Sequence, residues 1–503
     1  MQGENAVAVG QLAGQTGQND YAVAIGSAAG GNKQGEFAVA IGAGAGLTGQ
    51  GDGAVAIGAG AGEIHSKTGA VAVGFQAGQH AQGTSAVAVG YLAGKTGQSA
   101  NAVAIGAGAG EMHGKTGAVA VGFRAGQHVQ GENAVAVGHL AGQTGQGTSA
   151  VAVGHQAGEI HGKIGAVAVG FRAGQHVQGE NAVAVGQLAG QTGQNDYAVA
   201  IGDQAGANEQ GDSAVAIGAG AGFTGQSANS VAVGNLAGQH GQSSNSVAVG
   251  HYAGNDGQGS NAVAIGYQAG EIHGGTGAVA VGHLAGQTGQ GNFAVAIGPR
   301  AGQTGQGQNA IAIGHLAGCS GSPQVGGSIV LNASGAALNA GDTGFFVNPV
   351  RNASSASGGG GVYYNDTANE FTWDTGKSFI IDHPLDPVNK HLVHVCLEGP
   401  EAGVYYRGKD EIVNGSFVEV QLPSYVGALC TDLTVQITPI YDGIVKTSML
   451  CASEVDTATN TFTVHGENGR FNWLVHGKRG DVTVEPNKAD VTVRGDGPYK
   501  YMI

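Results

Sequence analysis

The chain reads as an all-β protein: a parallel β-roll, or β-solenoid, of 16-residue coils followed by an antiparallel β-sandwich-like domain. Three observations point there. The motif Ala-Val-Ala-Val/Ile-Gly returns every 16 residues from Ala6 to Ala310, a span of 304 residues that holds 19 intervals and so 20 copies. Such an unbroken short period marks stacked units, each too small to bury a core alone. Composition agrees: of 503 residues 98 are Gly and only 10 are Pro, with no Gly at every third position, so a collagen helix is excluded. The 42% of hydrophobic residues is too high for a disordered Gly-rich chain. The period ends after Gly318, and from Lys377 Gly thins out and alternating strands separated by turns appear.

Each coil follows A-V-A-V/I-G-x-x-A-G-x-x-x-x-G-x-x, with Ser230 and Ser246 replacing the first Ala in two copies and Ala310-Ile311-Ala312-Ile313-Gly314 as a further variant. Five alternating residues suit a strand with two faces. The Gly that follows, such as Gly10, tolerates positive φ and turns the chain. Ala13-Gly14 marks a second short strand or a corner. Coils stacked about 4.8 Å apart would make a rod on the order of 95 Å long. By size, Val7 and Val9 are expected to fill the inside of each coil. Ala6 and Ala8, with their equivalents Ala22, Ala24, Ala38 and Ala40, are then expected to face a neighbouring chain, where methyl groups permit close backbone approach. A longer period of 48 residues relates Phe75–His80, Phe123–His128 and Phe171–His176, as if three coils were copied as a block.

The expected organisation is a shaft over 1–318, a transitional segment over 319–376 and a C-terminal β domain over 377–503. The transitional segment carries one last, out-of-step coil at Gly326–Asn332. In the C-terminal domain, Gly403–Arg407 and Ser416–Leu422 flank Asn414-Gly415, a strong hairpin signal. Leu433–Ile437, Thr461–Val464 and Phe471–Val475 continue the strand pattern.

Only 11% of residues are charged and the net charge is -15, so there is no general basic character to neutralise phosphates, and nucleic acid is not an expected partner. No run of 18 apolar residues is present for a membrane-spanning helix. The first residues have neither the basic region nor the apolar core of a secretory leader. They begin in mid-register, residues 2–26 being identical to 178–202. The strand edge of the first coil is expected to be covered by an upstream segment or a partner. The four Cys (Cys319, Cys396, Cys430, Cys451) form no CxxC pair and are expected to be free, buried thiols.

Few residues invite chemistry. His394, Cys396 and Glu398 alternate and so share one strand face, which suits a metal site or a Cys-His nucleophile pair, but at steps of about 6.5–7 Å they would need another strand to hold one ion, and packing is the simpler role. Glu398 and Glu401 flank Gly399-Pro400; paired carboxylates act on glycosides, while the plainer reading is a turn that fixes Arg407 by ion pairs. Trp373, Trp473, Tyr405 and Tyr406 would stack on sugars or, more simply, pack in a core. His65, His113, His161 and His273 recur at one position, where a solvated polar turn accounts for them better than a metal site or a pH sensor. Thr16, Thr48, Thr96, Thr144, Thr192, Thr224, Thr288 and Thr304 share another, but Ile, His, Met, Asn and Asp replace Thr in other coils, which breaks an ice-binding array. No catalytic residue, metal ligand or cofactor is expected, and the protein is not expected to be an enzyme.

The repeated core resembles the head of YadA-type trimeric adhesins over about 310 residues. The resemblance implies a parallel β-roll and a homotrimer. The coil is longer than the usual unit of that family, and no neck, coiled-coil stalk or membrane barrel follows in this sequence, so autotransport is not implied. A second resemblance starts near Gly327. Ser328–Gly335, Gly344–Arg351, His383–Pro387 and His391–Gly408, with the string LEGPEAGVYYRG inside the last, look like fibre-like structural proteins of giant DNA viruses and some tailed phages. Tyr405, Tyr406 and Arg407 belong to that string, with His394, Glu398 and Glu401. Together these imply an extracellular or virion-surface fibre whose partners are copies of itself and a host-surface glycan or protein. Its C-terminal domain would align the shafts, because repeats pair equally well when slipped by 16 residues. The main rival is a head-to-tail filament. A polysaccharide-acting β-helix enzyme is weaker, because no long loops carry acidic or basic clusters.

Overall fold

The structure is a computed structural model. It describes residues 2–319 and 322–350, then 361–365, 368–374, 378–382, 385, 386, 388–395, 403–413, 415–443, 449–479, 493, 494, 501 and 502. Glu398, Glu401 and Cys396 lie outside the described residues, as do His383 and Asn414. Two compact units are present, Met1–Arg351 and Asn352–Ile503.

The first unit is a parallel β-solenoid of about 21 turns. Every copy of Val-Ala-Val/Ile forms a three-residue strand, from Val7–Val9 to Ile311–Ile313. Each pairs in register with the copy one repeat away: Val7 opposite Val23, Ala8 opposite Ala24, Val9 opposite Ile25. Ser328–Asn332 and Gly344–Asn348 extend the same sheet after Ile313. A second wall is built from strands such as Thr16–Gln18 and Asn32–Gln34, again paired one repeat apart; in other coils a single bridge, such as Thr48 to Ile64, does the same. Between the walls the chain turns at Gly10 and its equivalents. Gly10 has φ +127, and a Cβ there would come within 2.6 Å of the Gly26 carbonyl oxygen in the next coil. Any side chain at this position would therefore push the stack apart. Ala13 lies on the corner that follows, not on a strand.

The inside of the solenoid reverses one expectation. Ala22, Ala24, Ala38 and Ala40 are 0% exposed within the single chain. The Val and Ile of the same strands point outward and are exposed or half-buried. In the first coil Ala6 is half-buried and Ala8 exposed, because a coil stacks on one side of them only. The alanines therefore line the chain's own core and offer no face to a neighbour. The reason is thickness. A 16-residue coil with two walls leaves a slot so narrow that Ala from the first strand, Ala from the corner (Ala29, Ala45) and one more group fill it. Val in that slot would overpack it.

The remaining group is a glutamine, and nothing in the sequence reading anticipated it. Gln18, Gln34, Gln50, Gln82 and their equivalents are buried in the slot. Gln18 Nε2 donates to the Val7 carbonyl at 2.8 Å and to Ala22 O at 3.2 Å, tying the second wall to the first. From Gln178 to Gln258 the side chains also bond one another, coil to coil, at 3.1–3.3 Å. An amide fits because its Nε2 is bonded to carbonyls of the facing wall and the neighbouring coil, although the buried Oε1 of Gln18, Gln34, Gln50, Gln98 and Gln146 has no hydrogen-bond partner among the described residues. Ser66, Gly114, Gly162 and Gly274 take the place of the glutamine in the remaining coils.

The second unit contains two three-stranded antiparallel sheets. One orders Gly403–Ile412, Gly469–Arg479 and Cys430–Pro439; the other orders Phe417–Gln421, Thr461–His465 and Cys451–Ala452. Their inner faces share one core, in which Ile412, Leu422, Phe462 and Phe471 are almost wholly buried. Period-two strands with one apolar face pack in this sandwich-like way. The hairpin signal at Asn414-Gly415 is overridden: Gly403–Ile412 pairs with Gly469–Arg479, and Phe417–Gln421 pairs with Thr461–His465. The chain between them thus passes from one sheet to the other, and Gly403–Ile412 gains a partner along its full length that the five residues Phe417–Gln421 could not supply. Buried Asn460 secures the short helix Val426–Leu429, accepting from Gly427 N at 2.6 Å and donating to Ser424 O at 3.0 Å.

Candidate functional site

The feature most suited to recognition in the first unit is the outer face of its long sheet. Two β-branched residues per coil point outward, so the face is a continuous apolar stripe. Ile41, 36% exposed, and Ile105, 41% exposed, bracket the outward isoleucines of the stripe. Single exposed apolar residues are ordinary, but a contiguous strip along 20 coils is not.

The sixth residue of each coil flanks this stripe, and its size follows that of the fourth. In the eleven coils with Val at the fourth position, the sixth is Gln, Asn, His, Phe or Tyr, never smaller than Asn. In seven of the nine coils with Ile, it is Ala43, Ala59, Ala107, Ala219, Ser27, Asp203 or Pro299; Tyr267 and His315 are the exceptions. Large sixth residues stack coil upon coil. The rings of Phe123, His139, His155 and Phe171 run in series at 5.2, 4.8 and 5.3 Å. Arg124 and Arg172 cap the two phenyl rings at 5.2 Å. Tyr267 stacks between His251 and His283 in the same manner. Ring faces are consumed by the stack, so the edges point outward.

The other repeated positions are structural. His65, His113, His161 and His273 take left-handed backbone with φ between 53 and 58, and the strand ladder sets other residues between them, as Ala81 and Gly97 stand between His65 and His113. The Thr register position runs Thr48, Ile64, His80, Thr96, Met112 along its bridges, which is no flat Thr array. Among the described residues there is no cluster of three His, Cys, Asp or Glu side chains.

In the second unit, the sequence-selected residues part company. His394 lies on the strand His391–Val395, opposite Phe379. Tyr405 and Arg407 are on the outer face of the first sheet, and Tyr406 is on its inner face. The Tyr406 hydroxyl lies 3.8 Å from Cys430 Sγ. Burial raises the phenol of Tyr406 well above its ordinary range, and burial also pushes the thiol of Cys430 up. Trp473 also belongs inside, edge-on to Phe462 at 5.7 Å. Cys319 is half-buried and its thiol is raised by that burial, while Cys451 is exposed, against the expectation of buried thiols. Beside Tyr405 and Arg407, the outer sheet face forms an open cavity of about 810 Å³ lined also by Lys409, Gln436, Asn472 and His476.

Two copies of the YadA head domain repeat match residues 194–221, the stretch that runs from buried Gln194 to Ala221. No curated protein and no solved structure matches the chain. The matched repeats and the solenoid fit an adhesin-like surface fibre and point to a structural, non-enzymatic role outside the cell.

Proposed function

We propose that the chain is a structural fibre protein whose shafts associate through the Val/Ile face into a homotrimer, displayed on a virion or cell surface for attachment. The observation that carries this reading is the trade of volume between the fourth and sixth residues of the coil. On a solvated face, losing a bulky neighbour is no reason to add a methylene to the residue beside it. Against a partner held at constant height, the lost volume must be restored, and each buried methylene contributes about 0.8 kcal/mol. A surface that repeats with the rise of one coil is matched by another copy of the same rod. The three-fold number rests on the likeness to YadA heads, and the virion context on the string around Tyr405 and Arg407.

Sedimentation of the full chain at micromolar concentration tests it. Three copies per particle are expected, and Val199→Asp with Ile201→Asp, both outward in mid-shaft, should release single chains that keep their β circular dichroism. A monodisperse single chain in the unsubstituted protein would overturn the reading.

A further inference from the structure

The outer face of the sheet Gly403–Ile412, Gly469–Arg479, Cys430–Pro439 is unlike the rest of this acidic chain. Antiparallel register puts Arg407 opposite Leu474 and Lys409 opposite Asn472, with Gln436 and Thr438 beyond them on the third strand. Alternation turns Tyr405, Arg407 and Lys409 outward together, and all three are exposed. They line the open cavity of about 810 Å³, whose lining holds two cations and no carboxylate. Among the described residues neither Arg407 nor Lys409 has an ion pair. Farther along the face stand Arg470 opposite Glu411 and, at the other end, Lys478, near Asp432 in the strand irregularity. The net charge of the whole chain is -15, so two unopposed cations at the middle of a concave face are not its background composition.

We infer that this face binds an acidic saccharide, one carrying carboxylate or sulfate groups. The guanidinium of Arg407 suits a two-oxygen anion through paired donors, and Lys409 adds a point charge beside it. The amides of Gln436 and Asn472 and the hydroxyl of Thr438 offer both donors and acceptors, which is what sugar hydroxyls require. Tyr405, 45% exposed, presents a ring at the rim of the same cavity. The cavity volume is that of a small-molecule site, within the range of about 300–1,000 Å³. A nucleic acid would demand a longer run of cations along its phosphates, and the centre of this face has two. The inference gives the proposed attachment role a ligand class, and it stands independently of how the shafts associate.

The test is titration of the full chain with a sulfated disaccharide, a sialylated trisaccharide, neutral lactose and a single-stranded oligonucleotide. At least one acidic saccharide should bind about tenfold or more tightly than lactose, and weaken with added salt. Arg407→Gln with Lys409→Gln, both at exposed positions, should abolish that preference, and Asn472→Ala should weaken binding of the same saccharide. The sedimentation of these variants should stay that of the unsubstituted protein, which separates failure here from failure of the self-association reading. Preference for the sulfated or for the sialylated probe each supports the inference and identifies which acid is read. Equal affinity for lactose, an acidic preference that survives the double substitution, or tighter binding of the oligonucleotide through the same residues would overturn it.

Discussion

The two units bury opposite kinds of matter. The shaft's interior is alanine methyls and glutamine amides, repeated coil by coil. The second unit's interior is Phe462, Phe471, Ile412 and Leu422, each used once. The difference follows from how each closes. A coil two short strands wide has room for one methyl from each wall, so its cohesion comes from backbone hydrogen bonds and amide links between neighbours. Stability then grows by adding coils. The C-terminal sheets enclose a volume that needs large side chains, and their stability concentrates in a few of them. The shaft repeats one surface coil after coil, and the second unit carries an irregular one.

This contrast makes testable claims. The largest effect belongs to Phe462→Ala, which should remove about 3–5 kcal/mol from the second unit. Calorimetry should show its transition fall while the transition of the shaft stays in place; if both move together, the two units unfold as one. Next comes Ala200→Leu in the shaft slot, where Ala200 is 0% exposed. Overpacking should cost about 1–3 kcal/mol, whereas Val199→Leu, on the outward side of the same strand, should leave the melting of the shaft in dissociated single chains nearly unchanged. Equal effects from the two would mean that the slot is wider than the buried alanines imply.

A gain is expected at Gly162, which occupies the place of the buried glutamine and where a Cβ meets nothing within 4 Å. Gly162→Gln should rejoin Gln146 to Gln178 and bond the Val151 and Ala166 carbonyls, raising stability by about 1 kcal/mol in thermal melts. A lower melting temperature would show that the amide ladder does not stabilise the stack.

The smallest effect concerns Asp196. Its carboxylate accepts from Glu180 N and from Lys163 Nζ, and these hold its pKa below the ordinary value, the backbone donor foremost. A lowered folded-state value means the contribution is present above the unfolded carboxylate range and is lost as pH falls through the folded value. Asp196→Asn should therefore lower the shaft's melting temperature slightly at neutral pH and leave it nearly unmoved at low pH, where the carboxylate is protonated and its contribution is already lost.

Much of this was legible from residues alone. The 16-residue period placed every outer-wall strand, and Gly after the fourth residue placed the corner, because both signals act within a single coil. The face that turns inward was not legible. Alternation in Ala-Val-Ala-Val/Ile separates two faces but does not say which is inside, and ordinary size reasoning put Val7 and Val9 within and Ala22, Ala24, Ala38 and Ala40 without. The decision belongs to the spacing between the two walls, which exists only once the coil has closed. The buried glutamine had a visible signal, its return at Gln18, Gln34 and Gln50, but polarity argued for the surface until the facing carbonyls were in position. Likewise Asn414-Gly415 is a local turn signal, and the strands beside it took partners elsewhere, Gly403–Ile412 pairing along its whole length with Gly469–Arg479. Among the candidate residues, Tyr405 and Arg407 were singled out by their string, while Lys409, Gln436 and Asn472 joined them through strand register. Period, turns and strand positions are thus properties of neighbouring residues. Inside and outside, and the company each outward side chain keeps, are properties of distance between segments remote in the chain.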